Sequence, residues 1–174
     1  MVSVKPPSTL VMDLRCQNQL RKSLTAVYPE EGCALLIGHI LNDQQWVVDW
    51  IWPCLNVWPM NNDQISCYLN SYSDQDFASD KRTRFSVDPR EQLAAQLWAR
   101  RRKLSIFGVA HSHPSGEAIP SIHDLKWGLV DSLFLIQSKE GDHRAWWLDF
   151  DRHYHEILIC QNSRSRGNPQ SKLK

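Results

Sequence analysis

The sequence lacks the features that mark two broad classes of protein. Its 20 basic residues are nearly balanced by 19 acidic ones, for a formal net charge of +1, so it has no basic excess of the kind that nucleic-acid-binding proteins usually carry. No apolar run approaches the roughly 18–20 residues that a membrane span needs, and residues 1–9 contain no apolar core of a signal peptide. We therefore expect no nucleic acid and no membrane among its partners.

Cysteine pairs and internal repeats are also missing. The five cysteines are an odd number, and no two are spaced as C-x-x-C, which argues against a zinc site built from cysteine alone. Reduced thiols in a cytoplasmic protein are the simplest interpretation. A chain of 174 residues without repeats fits one domain that can bury a substantial core.

Two segments lack the regular apolar pattern of the rest of the chain. Residues 163–174 contain four basic residues and no acid, and such a composition predicts a disordered basic tail, with contact to an acidic partner as the less favoured role. Residues 53–83 are rich in Pro, Asn, Ser and Asp and predict an irregular insertion, of the kind that is often mobile or functional. The domain itself is predicted to span residues 1–162.

Hydrophobic periodicity predicts both helices and strands in the remaining chain. Helices are predicted over 10–27, 89–102 and 121–130. The second of them begins with Asp88 as N-cap and Pro89 in the first turn. Strands are predicted over 34–41, 45–52, 84–87, 105–110, 133–137, 145–150 and 156–160. This order predicts an α/β fold, a single-domain mixed β-sheet flanked by helices.

The stretch that carries chemistry is HSHPSGEAIPSIHD, residues 111–124. On a strand, His111 and His113 project to the same side because they stand two residues apart. Pro114 ends the strand, and the loop brings the chain back so that Asp124 can approach from a helix. Two neutral imidazoles and one carboxylate, with a fourth position left to water, are the ligand set of a catalytic zinc ion.

A catalytic zinc site also needs a carboxylate that moves protons. Zinc lowers the pKa of its bound water to about 7, and a nearby base takes the proton and passes it to the leaving amine. The candidates are Glu117, which lies between the ligands in sequence, and the pair Glu30 and Glu31 ahead of the first predicted strand. Spacing alone does not choose among these three carboxylates.

At these residues the sequence resembles the JAMM or MPN-plus family of zinc metalloproteases, also called JAB1/MPN/Mov34. The signature of that family is H-S-H-P, six residues, serine, two residues and aspartate. Every position is filled here, from His111 through Ser121 to Asp124. A second family segment, P-x-E-x-C-G-x-L-x-G, is similar to PEEGCALLIG at residues 29–38, with Ala34 in place of the first glycine.

The resemblance covers about residues 10–150 and is to the compact prokaryotic members of the family. It implies that His111, His113 and Asp124 bind Zn²⁺. It also implies that Glu31 is the general base and acid, and that Ser121 hydrogen-bonds the oxyanion of the tetrahedral intermediate.

The fold implied by the resemblance is MPN/JAB-like, with a cytidine-deaminase-like architecture. The implied reaction is hydrolysis of a peptide or isopeptide bond at the C-terminal tail of a ubiquitin-like or sulfur-carrier protein. The oligomeric state does not follow from the sequence.

Two other functions stay open at this point. One is a non-catalytic interaction module of the MPN type that keeps its zinc ion, against which the presence of both Glu31 and Ser121 argues. The other is a protein similar to the DNA-repair-associated RadC proteins, which share an H-x-H-P-S-G…P-S-x-x-D run. The sequence lacks the helix-hairpin-helix segment that commonly precedes that domain, and residues 29–38 fit the peptidases better.

Overall fold

A computed structural model describes residues 5–58 and 80–161, and the structural statements below concern these residues. The predicted basic tail and most of the predicted insertion lie outside them. The elements follow one another in the order β1 (Thr9–Met12), α1 (Leu14–Thr25), β2 (Cys33–Asn42), β3 (Gln45–Cys54), α2 (Pro89–Arg100), β4 (Ser105–Ser112), α3 (Ile122–Trp127), β5 (Ser132–Gln137), β6 (His143–Leu148) and β7 (Tyr154–Gln161). No helix among them has the length and apolar character that a membrane span requires.

The seven strands form one closed sheet in the order β1-β3-β2-β4-β5-β6-β7. The prediction of a mixed sheet with helices is confirmed, but the picture of an ordinary sheet flanked by helices is corrected, because this sheet closes on itself. Closure depends on β1, which pairs in parallel with β3 on one side and with β7 on the other. The parallel β4–β5 pair and four antiparallel pairs complete the ring.

The predicted helix over residues 10–27 was wrong at its start. Asp13 is the N-cap of α1, and its carboxylate accepts a hydrogen bond from the Cys16 N–H at 2.7 Å. A capped first turn fixes where the helix begins, so the residues before Asp13 are free to form a strand. In that strand Leu10 and Met12 point inward and are fully buried.

One apolar cluster fills the inside of the closed sheet. All seven strands contribute to it, and α1 adds Cys16, Leu20 and Leu24. Trp46 and Trp147 pack edge to face at its centre, with ring centroids 5.6 Å apart. A cluster to which every strand contributes can only lie on the inner face of the sheet, so α1 packs its buried face on that inner face while its other face stays exposed.

The other two helices cover the outer face. Ala95 and Ala99 of α2 pack on Leu35 and Ile37 of β2, and Leu125 of α3 packs on the outer residues of β5 and β6. The predicted start of α2 agrees with the structure, since the Asp88 carboxylate accepts the Arg90 N–H at 2.8 Å and Pro89 occupies the first turn.

Several predicted elements also differ from the structure in their extent. Helix α3 ends at Trp127, short of the predicted 130, because Gly128 has an extended ψ of 142°. The predicted strand over 84–87 is only an isolated bridge between Asn56 and Val87. Strand β3 continues to Cys54 and so includes the first two residues of the predicted insertion.

Candidate metal centre

The end of β4 places the two histidines. His111 lies between two neighbouring strands, opposite Cys33 of β2 and Ile136 of β5, and is 1% exposed. The backbone N–H of His113 donates to the Gln137 carbonyl at 2.8 Å, which extends the ladder one residue beyond the strand. The alternation of a strand therefore brings both imidazoles to one side, as the spacing predicts.

A backbone carbonyl fixes the tautomer of His113. Its Nδ1 lies 2.8 Å from the Glu117 carbonyl oxygen. A carbonyl can only accept, so Nδ1 carries the hydrogen and Nε2 keeps a lone pair. Metal-binding histidines usually donate the hydrogen of their other ring nitrogen in this way, and that hydrogen bond fixes the orientation of the ring.

Asp124 is oriented by the first turn of α3. The Ser121 N–H donates to Asp124 Oδ2 at 2.7 Å, and the Asp124 N–H donates to Ser121 Oγ at 3.2 Å. This reciprocal capping box turns the carboxylate back over the helix start. Its Oδ1 then lies 3.1 Å from His111 Nε2, and its Oδ2 lies 3.4 Å from His113 Nε2.

The three side chains fit a zinc ion. The two Nε2 atoms are 3.1 Å apart, and the carboxylate is 3.1 and 3.4 Å from them. Two ligands about 2.0–2.1 Å from zinc at the tetrahedral angle lie roughly 3.4 Å from each other. The structure thus brings the predicted ligands together at the separations a shared ion requires, with donors that suit zinc.

The surroundings of Asp124 keep its carboxylate ionised, which is the form that binds a metal ion. Burial alone would raise the pKa of Asp124, but the charge of His111 and hydrogen bonds from His111, His113 and Ser121 hold it well below its usual range. Burial alone would lower the pKa of His113, but Asp124 outweighs that effect and raises it. Asp124 is therefore already ionised and needs to lose no proton to bind a metal ion.

Of the three candidate bases, Glu31 is the one buried beside the ligands. Its side chain is 6% exposed, and burial raises its pKa to about 8. The charge of His113 lowers this pKa and the charge of Asp124 raises it, so Glu31 interacts with both candidate ligands. Glu30 is half-buried and forms an ion pair with Lys81 at 3.9 Å. Glu117 is exposed and serves the site through its backbone carbonyl.

The structure adds residues that the sequence did not single out. Ser112, between the two histidines, points to the opposite side of β4, where its Oγ accepts the Gly32 N–H at 2.9 Å. Its own N–H donates to the Gly32 carbonyl at 3.1 Å. Ser112 thus ties the residue next to Glu31 to the strand that carries the ligands. The ring of Phe85 stacks on His111, with centroids 4.5 Å apart and an interplanar angle of 21°.

Comparison with known families agrees with this geometry. Residues 13–149 match the family described as prokaryotic homologs of the JAB domain. The chain belongs to this family. The matched span includes Glu31, Ser121 and all three candidate ligands, and the resemblance to JAMM proteins predicted from the sequence is confirmed.

A curated relative and two solved structures are also similar to this JAB-family chain. Desampylase from Pyrococcus furiosus is 33% identical over 79 residues, which are 43% of this chain and 54% of that protein. The chain therefore spans only about half of the length of that relative.

The solution structure of a protein from Desulfitobacterium hafniense superposes with a TM-score of 0.70 at 22% identity, covering 89% of this chain and 94% of that one. The solution structure of a protein from Salinibacter ruber has a TM-score of 0.59 at 26% identity, covering 88% and 92%. These two likenesses concern the fold.

Proposed function

We propose that this JAB-family protein is a zinc-dependent peptidase or isopeptidase. Its substrate would be a ubiquitin-like or sulfur-carrier protein, cut at a peptide or isopeptide bond of the C-terminal tail. The observation that carries the proposal is the convergence of the ligand atoms of His111, His113 and Asp124 beside the buried carboxylate of Glu31. The partial similarity to a desampylase supports the substrate class.

The metal would be held by His111, His113 and Asp124. When bound there, zinc supplies Lewis acidity and lowers the pKa of a coordinated water to near 7. Phe85 covers one face of His111 and the Glu117 carbonyl fixes the ring of His113, so both imidazoles are held in fixed orientations.

Glu31 would carry the proton. Burial raises its pKa to about 8 in the zinc-free chain, and a carboxylate beside the candidate ligands can accept the proton of a coordinated water. The acid form can then give the proton to the leaving amine as the carbon–nitrogen bond breaks. A high pKa produced by burial next to charged partners in a site is typical of catalytic carboxylates.

Ser121 would stabilise the oxyanion. Its capping role uses the hydroxyl oxygen as an acceptor for the Asp124 N–H. The Ser121 side chain also hydrogen-bonds the Asp124 carboxylate, and a hydroxyl has one donor besides its lone pairs. Its O–H would therefore turn from that carboxylate to the oxygen on which charge develops. The cap and the donor are compatible in one side chain.

A zinc-containing interaction module without activity is the second candidate, and the burial of Glu31 argues against it. A structural zinc site needs no carboxylate beside it, and burying one has a cost in free energy. That cost has a reason if the carboxylate takes part in a reaction.

The test is a cleavage assay on defined substrates. A ubiquitin-like protein would be offered with a C-terminal peptide extension, and separately with a lysine side chain joined to its C-terminus, and the products weighed by intact mass. We expect cleavage at the carrier's C-terminal residue that stops with chelator and returns with zinc. A folded, zinc-loaded protein that cleaves neither substrate, under conditions in which a known JAMM peptidase cleaves both, would contradict the proposal.

A further inference from the structure

A buried asparagine, Asn56, holds the segment that presents Glu31. It lies two residues after β3, is 9% exposed, and belongs to neither of the sequence motifs that match the family. Its Nδ2 donates to the Glu31 carbonyl at 3.0 Å and to the Arg84 carbonyl at 2.8 Å. Its Oδ1 accepts the N–H of Trp58 at 3.0 Å and the N–H of Ser86 at 3.2 Å. An amide side chain has two donors and two acceptor sites, and all four are used.

The bond to Glu31 is one of several that fix this part of the backbone. The Glu31 N–H donates to the Lys81 carbonyl at 2.7 Å, so both polar groups of Glu31 are held by the segments around 54–58 and 80–88. Both polar groups of the next residue, Gly32, are held by Ser112 of β4. The backbone that carries the candidate base is thus fixed between Asn56 on one side and the ligand strand on the other.

The same asparagine fixes the residues on either side of Phe85. Asn56 bonds the carbonyl of Arg84 and the N–H of Ser86, and the ring of Phe85 stacks on His111. One side chain therefore sets the position of the candidate base and of the ring that packs on a candidate ligand.

We propose that Asn56 is a positioning residue for the reaction, which fixes the carboxylate of Glu31 relative to the metal ligands. This inference rests on the proposed function. Asn56 touches neither the ligands nor a reacting atom, so its loss should slow turnover without releasing zinc. A displacement of about 1 Å of a catalytic group can cost roughly a hundredfold in rate.

The test compares two variants with one control. Asn56→Asp keeps the shape and the Oδ1 acceptor, but it places an oxygen against the two carbonyls that Nδ2 now bonds. Asn56→Ser loses those two bonds and also, because its side chain is shorter, the two bonds that Oδ1 accepts. It adds no charge, and it serves if the first variant fails to fold. Asn42→Asp is the matched control, since Asn42 is exposed at the end of β2. Its side chain accepts the N–H of Gln44 at 2.9 Å and donates to the side chain of Gln45 at 3.4 Å, both close neighbours in sequence.

For both Asn56 variants we expect kcat to fall about tenfold to a hundredfold, with KM and zinc affinity unchanged. The Asn42 variant should match the wild type. The second measurement is hydrogen exchange of the Glu31 and Gly32 amides in the zinc-loaded protein, which should be faster in the Asn56 variants. Unchanged kcat and unchanged exchange would overturn the inference, as would a fall in kcat that only follows a loss of zinc.

The two readouts separate this inference from the proposed function. If the wild type cleaves no ubiquitin-like substrate, the proposed function fails, and amide exchange at Glu31 and Gly32 alone decides whether Asn56 holds this segment. If the wild type is active and the Asn56 variants are equally active, the function stands and the positioning role is rejected.

Discussion

The carboxylates of Glu30 and Glu31 are adjacent in sequence and differ in environment. Glu30 pairs with Lys81 near the surface, whereas Glu31 is buried beside the candidate ligands. Glu31→Gln keeps the size of the side chain but cannot accept a proton, so we expect kcat to fall about 10²–10⁴-fold while zinc stays bound. Steady-state kinetics together with metal analysis measures both.

Glu30→Gln is the matched control for this prediction, and it should leave kcat close to that of the wild type. If Glu30→Gln abolishes activity and Glu31→Gln does not, the match of residues 29–38 to the family segment is off by one. If neither change matters, the proton carrier lies elsewhere and Glu117 is the next residue to change.

The raised pKa of Glu31 also predicts how the stability of the zinc-free protein depends on pH. The pKa is about 8 in the folded chain against an ordinary value of 4.5, so between these pH values the folded state binds a proton that the unfolded state releases. The free energy of unfolding therefore falls as the pH rises from 4.5 toward 8, because the unfolded state gains by releasing the proton that folded Glu31 keeps.

Glu31→Gln removes this pH-dependent loss of stability, because glutamine does not titrate. We expect the zinc-free variant to be more stable than the zinc-free wild type at pH 8, by on the order of a few kcal/mol, with the advantage shrinking toward pH 4.5. Denaturant unfolding across this range measures the difference. A difference that does not change with pH would show that Glu31 titrates normally in the folded chain.

At the scale of elements, the close approach of α1 to β2 depends on Gly32. A Cβ added to Gly32 would lie 2.5 Å from the Leu24 carbonyl oxygen, near the C-terminal end of α1. Gly32→Ala should therefore destabilise the fold by roughly 1–3 kcal/mol and lower kcat by shifting Glu31. Equilibrium unfolding and turnover of the same sample measure the two effects.

Gly116→Ala is the comparison for this prediction. A Cβ there would lie 3.5 Å from the Cβ of His113, an ordinary van der Waals contact, so the free energy of unfolding should change little. Equal losses of stability in the two variants would mean that the approach of α1 to β2 does not limit this site.

The elements that could be predicted are those with local signals. Asp88 and Pro89 mark the start of α2 within two residues, and the spacing of His111 and His113 encodes their common side. Strand β1 could not be predicted, because four alternating residues are too few to separate from a helical pattern. Its partners, β3 and β7, lie far away in sequence.

The role of Asn56 could not be predicted for a related reason. Two of its partners are the backbone carbonyls of Glu31 and Arg84, which stand 25 and 28 residues away. Every residue type has a backbone carbonyl, so the sequence carries no sign of these bonds. The candidate metal ligands, by contrast, could be predicted because His and Asp side chains are themselves metal-binding groups. The capping serine that orients Asp124 lies three residues before it.

At the scale of the whole molecule, closure of the sheet depends on the four residues of β1. Leu10 is fully buried in the inner cluster, and Leu10→Ala should lower the free energy of unfolding by about 2–5 kcal/mol. Leu14→Ala is the control, since Leu14 is 56% exposed at the start of α1 and should change stability by less than about 0.5 kcal/mol. Similar costs for both changes would argue that β1 does not close the sheet in solution.

The zinc requirement of hydrolysis is the property from which the rest of the account follows, and a titration measures it directly. Zinc would be added to chelator-stripped protein while bound metal and cleavage of a ubiquitin-like fusion are followed together. We predict that turnover rises with bound zinc and saturates at one ion per chain, and that His113→Ala binds zinc weakly and shows little turnover. Full turnover by the stripped protein, or equal zinc binding by the wild type and by His113→Ala, would contradict the account.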